Sequence, residues 1–329
     1  MKEPKTNTRI MLVTIAGMVV IAAVISLLYA IARQEDESAS GAGPAPASRS
    51  STLTGPVFPP RFETVRINPN GDAVVAGAAP PRSFLHLEDG SQVVGQARAD
   101  ELGQWVLLPQ AALAPGDHLL TLETRVAESV MRSLRSVLAI VPEPAKDIAG
   151  RPSVKIAGSL ALEVTPGGKE ADRLLQSPEP RRAGALALEI LDYDRRGVTA
   201  FSGSAPPGRH VLLYGDNRIV AAVPSDEHGH WQVAITAPLP LAKLTLRIDL
   251  ADQNAAVVER SEWVVQPLKF AENMAEGRMS LVQAGEHMWA LAHRVPGDAV
   301  RYALVFAPDE RARRDPGISY PGQLITLPQ

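Results

Sequence analysis

Seven histidines and 36 carboxylates are the residues best suited to acid–base or metal chemistry, and only His228 and His230 form a close histidine pair. Asp226 and Glu227 precede this pair, but the spacing is not the H-E-x-x-H of a helical zinc site, and a metal ion would need further ligands. A turn before Trp231 is the simpler interpretation. Cysteine is absent, which excludes thiol nucleophiles, disulfides and cysteine-based zinc sites.

No other motif in the sequence indicates catalysis. There is no G-x-S-x-G elbow, P-loop or dinucleotide fingerprint, and a glycosidase would need two carboxylates facing each other across a cleft. The net charge of -3 gives no indication of a nucleic-acid partner. We therefore expect a protein that is not an enzyme and that has no cofactor, metal ion or nucleic-acid partner.

The N-terminal segment predicts a transmembrane helix. Residues 10–32 carry no charge, and as a helix they would be about 35 Å long, enough to cross a bilayer core of about 30 Å. Basic residues precede this run and three acidic residues follow at 35–37, so the positive-inside rule places residues 1–9 in the cytosol. A signal peptide cleaved after Ala32 is the alternative, although its apolar stretch would be shorter. Both interpretations export the rest of the chain.

Two stretches have the composition of linkers, and an internal repeat surrounds the second of them. Residues 33–60 and 143–186 are rich in small, polar and proline residues, and "LALEV" within the second predicts one short strand. The sequence "AGAAPP" at 76–81 returns as "SGSAPP" at 202–207, a spacing of 126 residues. Two copies are too few for a solenoid, so the repeat indicates two related domains in series.

Each copy of the repeat, at 61–142 and 187–266, predicts a small antiparallel β-sandwich. Short alternating strands are separated by turn residues, and one strand of each copy carries a tryptophan, Trp105 or Trp231. The shared order G-x-A-P-P, hairpin, A-D-x-x-G-x-W resembles bacterial Ig-like domains of cell-surface proteins. The resemblance implies that the tryptophans fill the cores and that the aspartate of the motif makes a turn. A carbohydrate-stacking tryptophan is the alternative.

The C-terminal stretch 279–329 predicts a third, smaller unit. "MSLVQ" predicts a strand, "HMWALA" and "AVRYALVFA" predict two short helices from their apolar spacing, and "QLITLP" predicts a closing strand. The motifs "AGEHMWALA" at 284–292 and "SYPGQLITLP" at 319–328 resemble those of the LysM (lysin motif) module. This resemblance implies a βααβ fold, and together with an anchor and Ig-like repeats it resembles proteobacterial peptidoglycan-binding LysM proteins.

The LysM resemblance also implies a glycan-binding site. LysM modules hold N-acetylglucosamine polymers in a shallow groove between two loops, one after the first strand and one before the last. Carried onto the matching positions, the implied glycan-binding residues are Gly285, Glu286, His287, Met288, Asp315, Pro316, Gly317 and Ile318.

The predicted protein is thus mainly β, with a transmembrane helix, two Ig-like β-sandwich domains and a small C-terminal α+β LysM-like module. Its predicted function is a non-catalytic tether between a bacterial inner membrane and peptidoglycan glycan strands, with the bulk of the chain in the periplasm. A periplasmic protein-interaction scaffold built on the Ig-like domains, with a degenerate LysM module, is the alternative, and an exposed apolar patch or sheet edge would favour it. An enzyme with an unrecognised site would require a deep pocket with perturbed titratable groups.

Overall fold

The computed structural model of the chain describes residues 57–126, 129–154, 157–166, 170–182, 184–252, 254–267, 279–285 (backbone alone), 288–294 and 299–316. Within these ranges the protein is almost entirely β, with four antiparallel sheets and one 3-10 turn at Glu310–Ala312. No helix in the described part is long and apolar enough to cross a membrane. The run 10–32 lies outside the described residues, so the transmembrane helix stays a prediction.

The first sandwich contains ten of the described strands. They are β1 (Arg61–Ile67), β2 (Ala73–Ala78), β3 (Phe84–Asp89), β4 (Gln92–Arg98), β5 (Gln104–Leu107), β6 (Gly116–Val126), β7 (Ser129–Arg132), β8 (Ser136–Val141), β9 (Leu160–Val164) and β10 (Arg173–Gln176). One sheet has the order β1-β2-β5, and the other has the order β4-β3-β6-β8-β9-β10, with β7 beside β6. Strands β9 and β10 lie within 143–186, so the stretch predicted as a linker contributes to a sheet.

The second sandwich contains the remaining described strands. They are β11 (Ala187–Asp194), β12 (Gly197–Ser204), β13 (His210–Gly215), β14 (Arg218–Pro224), β15 (His230–Leu239), β16 (Leu244–Ala251), β17 (Val257–Val265), β18 (Met279–Gly285), β19 (Met288–His293), β20 (Arg301–Phe306) and β21 (Arg313–Arg314). Their sheets have the orders β15-β12-β11-β20-β19-β18 and β14-β13-β16-β17-β21. In each sandwich, three strands of one sheet face four of the other, which is the Ig-like architecture.

The two sandwiches repeat the same register at the spacing seen in the sequence. Phe62 pairs with Gly77 before a β-bulge in β1, and Leu188 pairs with Gly203 before a bulge in β11. Both glycines lie against a tryptophan: a Cβ on Gly77 would lie 2.9 Å from the Trp105 ring. The predicted role of the tryptophans is confirmed, because Trp105 and its counterpart in the second copy are both buried in the cores.

Three hydrophobic cores separate the four sheets, which belong to one compact unit. Two of the cores fill the sandwiches. The third lies between the sandwiches, where Leu138 and Leu162 of the first contact Leu291 and Val305 of the second. Strands β8, β9 and β20 are consequently buried on both faces. The two Ig-like units are therefore packed against each other through a core of their own.

The predicted C-terminal βααβ module is wrong. The two stretches predicted as helices are strands β19 and β20, which pair with each other and join β18 to β11. Short apolar runs do not distinguish a buried helix from a strand buried on both faces. Here Trp289 and Leu291 contact the third core, while Tyr302 and Leu304 contact the core of the second sandwich. The fold class is therefore corrected to β-sandwiches, with these strands completing a sheet.

Candidate functional site

A groove of about 860 Å³ lies beside the first strand of the first sandwich. One wall comes from Phe58, Pro59 and Pro60 and from the first residues of β1, and the other from the β7–β8 turn, β9 and β10. The β14–β15 turn of the second sandwich also contributes. We call this feature the seam groove; its polar and apolar lining includes Phe58, Arg61, Glu63, Thr64, Arg66, Leu134, Arg135, Glu163, Arg173, His228 and His230.

The edge of β1 that borders this groove is not paired with any strand in the described part of the chain, although β9 and β10 lie close to β1. At the end of β1, the side chain of Gln176 takes the place of a strand. The Ile67 N–H donates to Gln176 Oε1 at 2.8 Å, and Gln176 Nε2 donates to the Ile67 carbonyl at 2.7 Å. Arg66 Nη1 donates to the Val65 carbonyl at 3.1 Å. Side chains therefore satisfy this end of the edge, while the residues before Val65 line the groove.

Two arginines on the opposite wall share one buried carboxylate. Arg135 Nη1 and Arg173 Nε lie 3.0 and 3.1 Å from Glu163 Oε2, and the Glu163 side chain is only 3% exposed. The two arginine side chains remain partly open to solvent. Together with Arg61 and Arg66, four arginines and two glutamates line the groove. Arg61 also pairs with Glu63, and Arg135 with Glu170. The walls therefore keep only a small excess of positive charge, which favours a ligand that carries negative charge.

The histidine pair lies in the seam groove and belongs to a turn. The backbone N–H groups of His228 and His230 donate to Asp226 Oδ1 at 2.9 and 2.8 Å. Asp100 makes the same turn in the first sandwich, which confirms the predicted role of the motif aspartate. Among the described residues, no group of three or more His, Cys, Asp or Glu is placed to hold a metal ion.

A second polar feature, the buried polar cluster of Asp172, Asp192, His293 and Arg301, joins the two sandwiches. His293 Nε2 lies 3.0 Å from Asp172 Oδ2, and the Asp172 N–H donates to Asp192 Oδ2 at 2.7 Å. Arg301 lies 4.0 Å from the Asp172 carboxylate and 3.8 Å from that of Asp192. All four residues are buried, so solvent and substrates do not reach them, and their contacts hold the segment before β10 against β11, β19 and β20.

The pKa values of the two carboxyl groups in this cluster are shifted in opposite directions. Desolvation opposes ionisation of Asp172, but the hydrogen bond and attraction of His293 and the charge of Arg301 lower the pKa of Asp172 below its ordinary value. Desolvation raises the pKa of Asp192 well above its ordinary value, and the neighbouring negative charge of Asp172 adds to that rise. The cluster therefore favours one ionised and one protonated carboxyl group.

The described residues of the set implied for glycan binding lie in both sheets of the second sandwich or directly after their strands. Gly285 and Met288 flank the β18–β19 turn in one sheet, whereas Asp315 and Pro316 follow β21, which pairs with β17 in the other sheet of the second sandwich. Pro316 lines a small cavity of about 520 Å³ with arginines that include Arg313 and Arg314. Glu286, His287, Gly317 and Ile318 lie outside the described residues.

Sequence reasoning missed both the seam groove and the buried polar cluster. Asp172 and His293 are 121 positions apart in the chain, so no local motif joins them. The available signal was a charged residue inside an apolar strand, as for Asp192 in "LEILDYD" and Arg301 in "RYALVF". Such residues are buried only with partners, which indicates a tertiary contact without saying where it lies.

Comparisons with known proteins give only distant similarities. No family model and no curated protein matches the chain. A solved structure titled "Biofilm associated protein - BSP domain" is similar over 65% of this chain, with 13% identity and a TM-score of 0.21; the chain spans only 30% of that protein's length. A second, "Central Fibronectin-III array of RIM-binding protein", is similar over 76% of this chain and 89% of its own, with 10% identity and a TM-score of 0.21. These scores carry no argument, and the Ig-like assignment rests on strand order.

Proposed function

We propose that the described part of this protein is a non-catalytic scaffold that binds a protein partner through its two fused Ig-like sandwiches. The observation that carries this proposal is the seam groove, whose walls come from both sandwiches. Because the third core and the buried polar cluster hold the sandwiches together, the groove is preorganised. A preformed groove loses less entropy when it binds an extended partner.

Two further features support binding rather than chemistry. The groove carries paired arginines and turn histidines, and the titratable groups with opposed pKa shifts, Asp172 and Asp192, are buried away from it. The first sandwich also exposes Val106 and Leu108 on the outer face of its three-stranded sheet. With the anchor predicted at 10–32, this scaffold would stand on the periplasmic side of a bacterial inner membrane.

Photo-crosslinking in the native cell tests this function. A photoreactive residue replaces Thr64 in the groove, and a matched control replaces Ile219, which is also exposed and lies on the edge strand β14 of the other sandwich. We expect a discrete protein adduct from position 64 and none from position 219. Co-sedimentation of the full chain with purified peptidoglycan sacculi is measured in parallel. The absence of a protein adduct from the groove would overturn the scaffold function, and strong binding to sacculi would then favour the peptidoglycan tether.

A further inference from the structure

The internal repeat shows what a strand beside β1 would look like. Strand β11 is the counterpart of β1, because both pair with the next strand in the same register and both contain the same bulge. In the second sandwich the outer edge of β11 is filled by β20, which runs antiparallel and pairs over Ile190–Tyr193. In the first sandwich the equivalent edge borders the seam groove. The same edge is thus paired with a strand in one copy. In the other copy, the side chains of Gln176 and Arg66 cover its Val65–Ile67 end, and the residues before Val65 are open to the groove.

The backbone of β1 presents hydrogen-bonding groups to the groove. Both main-chain groups of Ile67 point outward, since they bond the Gln176 side chain. Directions alternate along a strand, so the N–H of Val65 also points outward, and the Val65 carbonyl accepts a hydrogen bond from a side chain. Glu63 occupies the bulge position, with no residue of β2 paired to it. An open edge of this kind is a template for a further strand.

The charges of the groove select among peptides. Arg61 and Arg66 lie on β1 itself, and the partly open Arg135 and Arg173 face them from the other wall. Leu134, which is 72% exposed, adds an apolar contact in the same groove. An added strand has side chains on alternating sides, so acidic residues alternating with apolar ones complement these walls.

We propose that the seam groove accepts an extended acidic segment of a partner protein as an additional antiparallel strand on β1. This inference rests on the proposed scaffold function and names its mode of binding, strand addition through main-chain hydrogen bonds. In that mode the partner strand lies beside the first residues of β1, on the edge whose counterpart in β11 is paired with β20.

Binding of synthetic peptides to the full chain tests the proposal. The probe is a fluorescent peptide of alternating Glu and Val, about ten residues long, followed by fluorescence anisotropy. One control peptide has Lys in place of Glu, and a second has alternate amides N-methylated so that one edge of the peptide has no N–H donors. We expect both controls to bind about tenfold more weakly or worse. If the N-methylated peptide binds as well as the unmethylated one, whether the Glu amides or the Val amides carry the methyl groups, strand addition is overturned.

Matched variants locate the binding to the edge of β1. Val65→Pro removes the outward N–H of an edge strand, where proline is tolerated, and we expect it to weaken binding of the acidic peptide about tenfold. Val65→Ala, which shortens the same core side chain but keeps the N–H, is expected to bind like the wild type. Arg66→Glu is expected to weaken binding, whereas Arg132→Glu, an exposed arginine away from the groove lining, is expected to leave it unchanged.

Hydrogen exchange gives a readout that does not depend on a variant folding. Added peptide is expected to slow exchange of the Val65 N–H and to leave that of Val75, in the strand behind it, unchanged. Unchanged exchange at Val65 with bound peptide overturns the proposal. If protein adducts still form at position 64 in the native cell while no peptide protects Val65, strand addition fails and the scaffold function stands. The absence of protein adducts at position 64 would overturn the scaffold function itself.

Discussion

The two sandwiches share strand order, register and bulge position, yet their outer surfaces have different roles. In the second, the edge of β11 is extended by β20, β19 and β18, and the outer face of that sheet is buried in the third core. In the first, the equivalent edge borders the seam groove, and the equivalent outer face exposes Val74 and Val106. The comparison shows that two sandwiches with the same core can use their outer sheet edge and outer sheet face for different contacts.

The tryptophan positions test whether the two cores are equivalent. Trp105→Ala and Trp231→Ala are each expected to lower the free energy of unfolding of the full chain by about 4 kcal/mol. The Trp231 substitution is expected to cost about 1 kcal/mol more, because Trp231 Nε1 donates to the Ser204 carbonyl at 3.1 Å, while Trp105 Nε1 has no partner among the described atoms. Denaturant unfolding measures both. A small loss at either position would show that the cores are not equivalent.

Substitutions in the buried polar cluster test the contact between β11 and β20, an edge contact that the described part of the first sandwich lacks. Asp172→Asn is expected to cost about 3 kcal/mol at neutral pH, since it breaks a fully buried pair with His293. The pKa of Asp172 is lowered, so its contribution is present above the unfolded-state pKa and is lost as pH falls through the folded-state pKa. Unfolding measured from neutral to acid pH checks this.

Asp192→Asn is the matched control for that cluster. The pKa of Asp192 is raised, so the wild type loses stability as pH rises above the unfolded-state pKa of this group. The amide resembles the protonated acid and avoids that loss. We therefore expect the unfolding free energy of Asp192→Asn at neutral pH to equal or exceed that of the wild type. A loss as large as that of Asp172→Asn would contradict the assigned protonation.

Substitutions at equivalent positions of β8 and β17 test how much burial of the outer sheet face stabilises the protein. Leu138 is 1% exposed in the third core, whereas its counterpart in the second sandwich, Val264, is 56% exposed. Leu138→Ala is expected to lower the unfolding free energy by about 3 kcal/mol, and Val264→Ala by less than about 0.5 kcal/mol. Similar losses at both positions would mean that the third core does not stabilise the packing of the two sandwiches against each other.

The smallest expected effect is a pH dependence confined to the first sandwich. His118 Nδ1 lies 2.6 Å from Asp89 Oδ2, and this hydrogen bond, opposed by desolvation, raises the pKa of His118 above its ordinary value. The second sandwich has Leu244 and Gly215 at the equivalent positions. His118→Leu is expected to cost about 1 kcal/mol at acid pH. The difference shrinks as pH rises through the folded-state pKa, and an unfolding series across that range checks it.

The sequence by itself determined the elements whose causes are local. Alternating strands, a core tryptophan and the aspartate turn before it repeat at one spacing, and the structure has all of them in both copies. The predicted helices at 288–292 and 299–307 were wrong because their short apolar runs fit either a helix or a strand buried on both faces. The local sequence pattern does not show whether the second face of a strand will be covered by another part of the chain.

Only the tertiary structure decided the contacts between elements distant in the chain. It placed β9 and β10 of the supposed linker in a sheet, seated β20 beside β11, and left β1 open beside the seam groove. The buried polar cluster likewise depends on strands from both sandwiches meeting at Asp172. Such contacts depend on which apolar faces and unpaired edges meet in the folded chain, and two repeats with the same strand order and register differ in them.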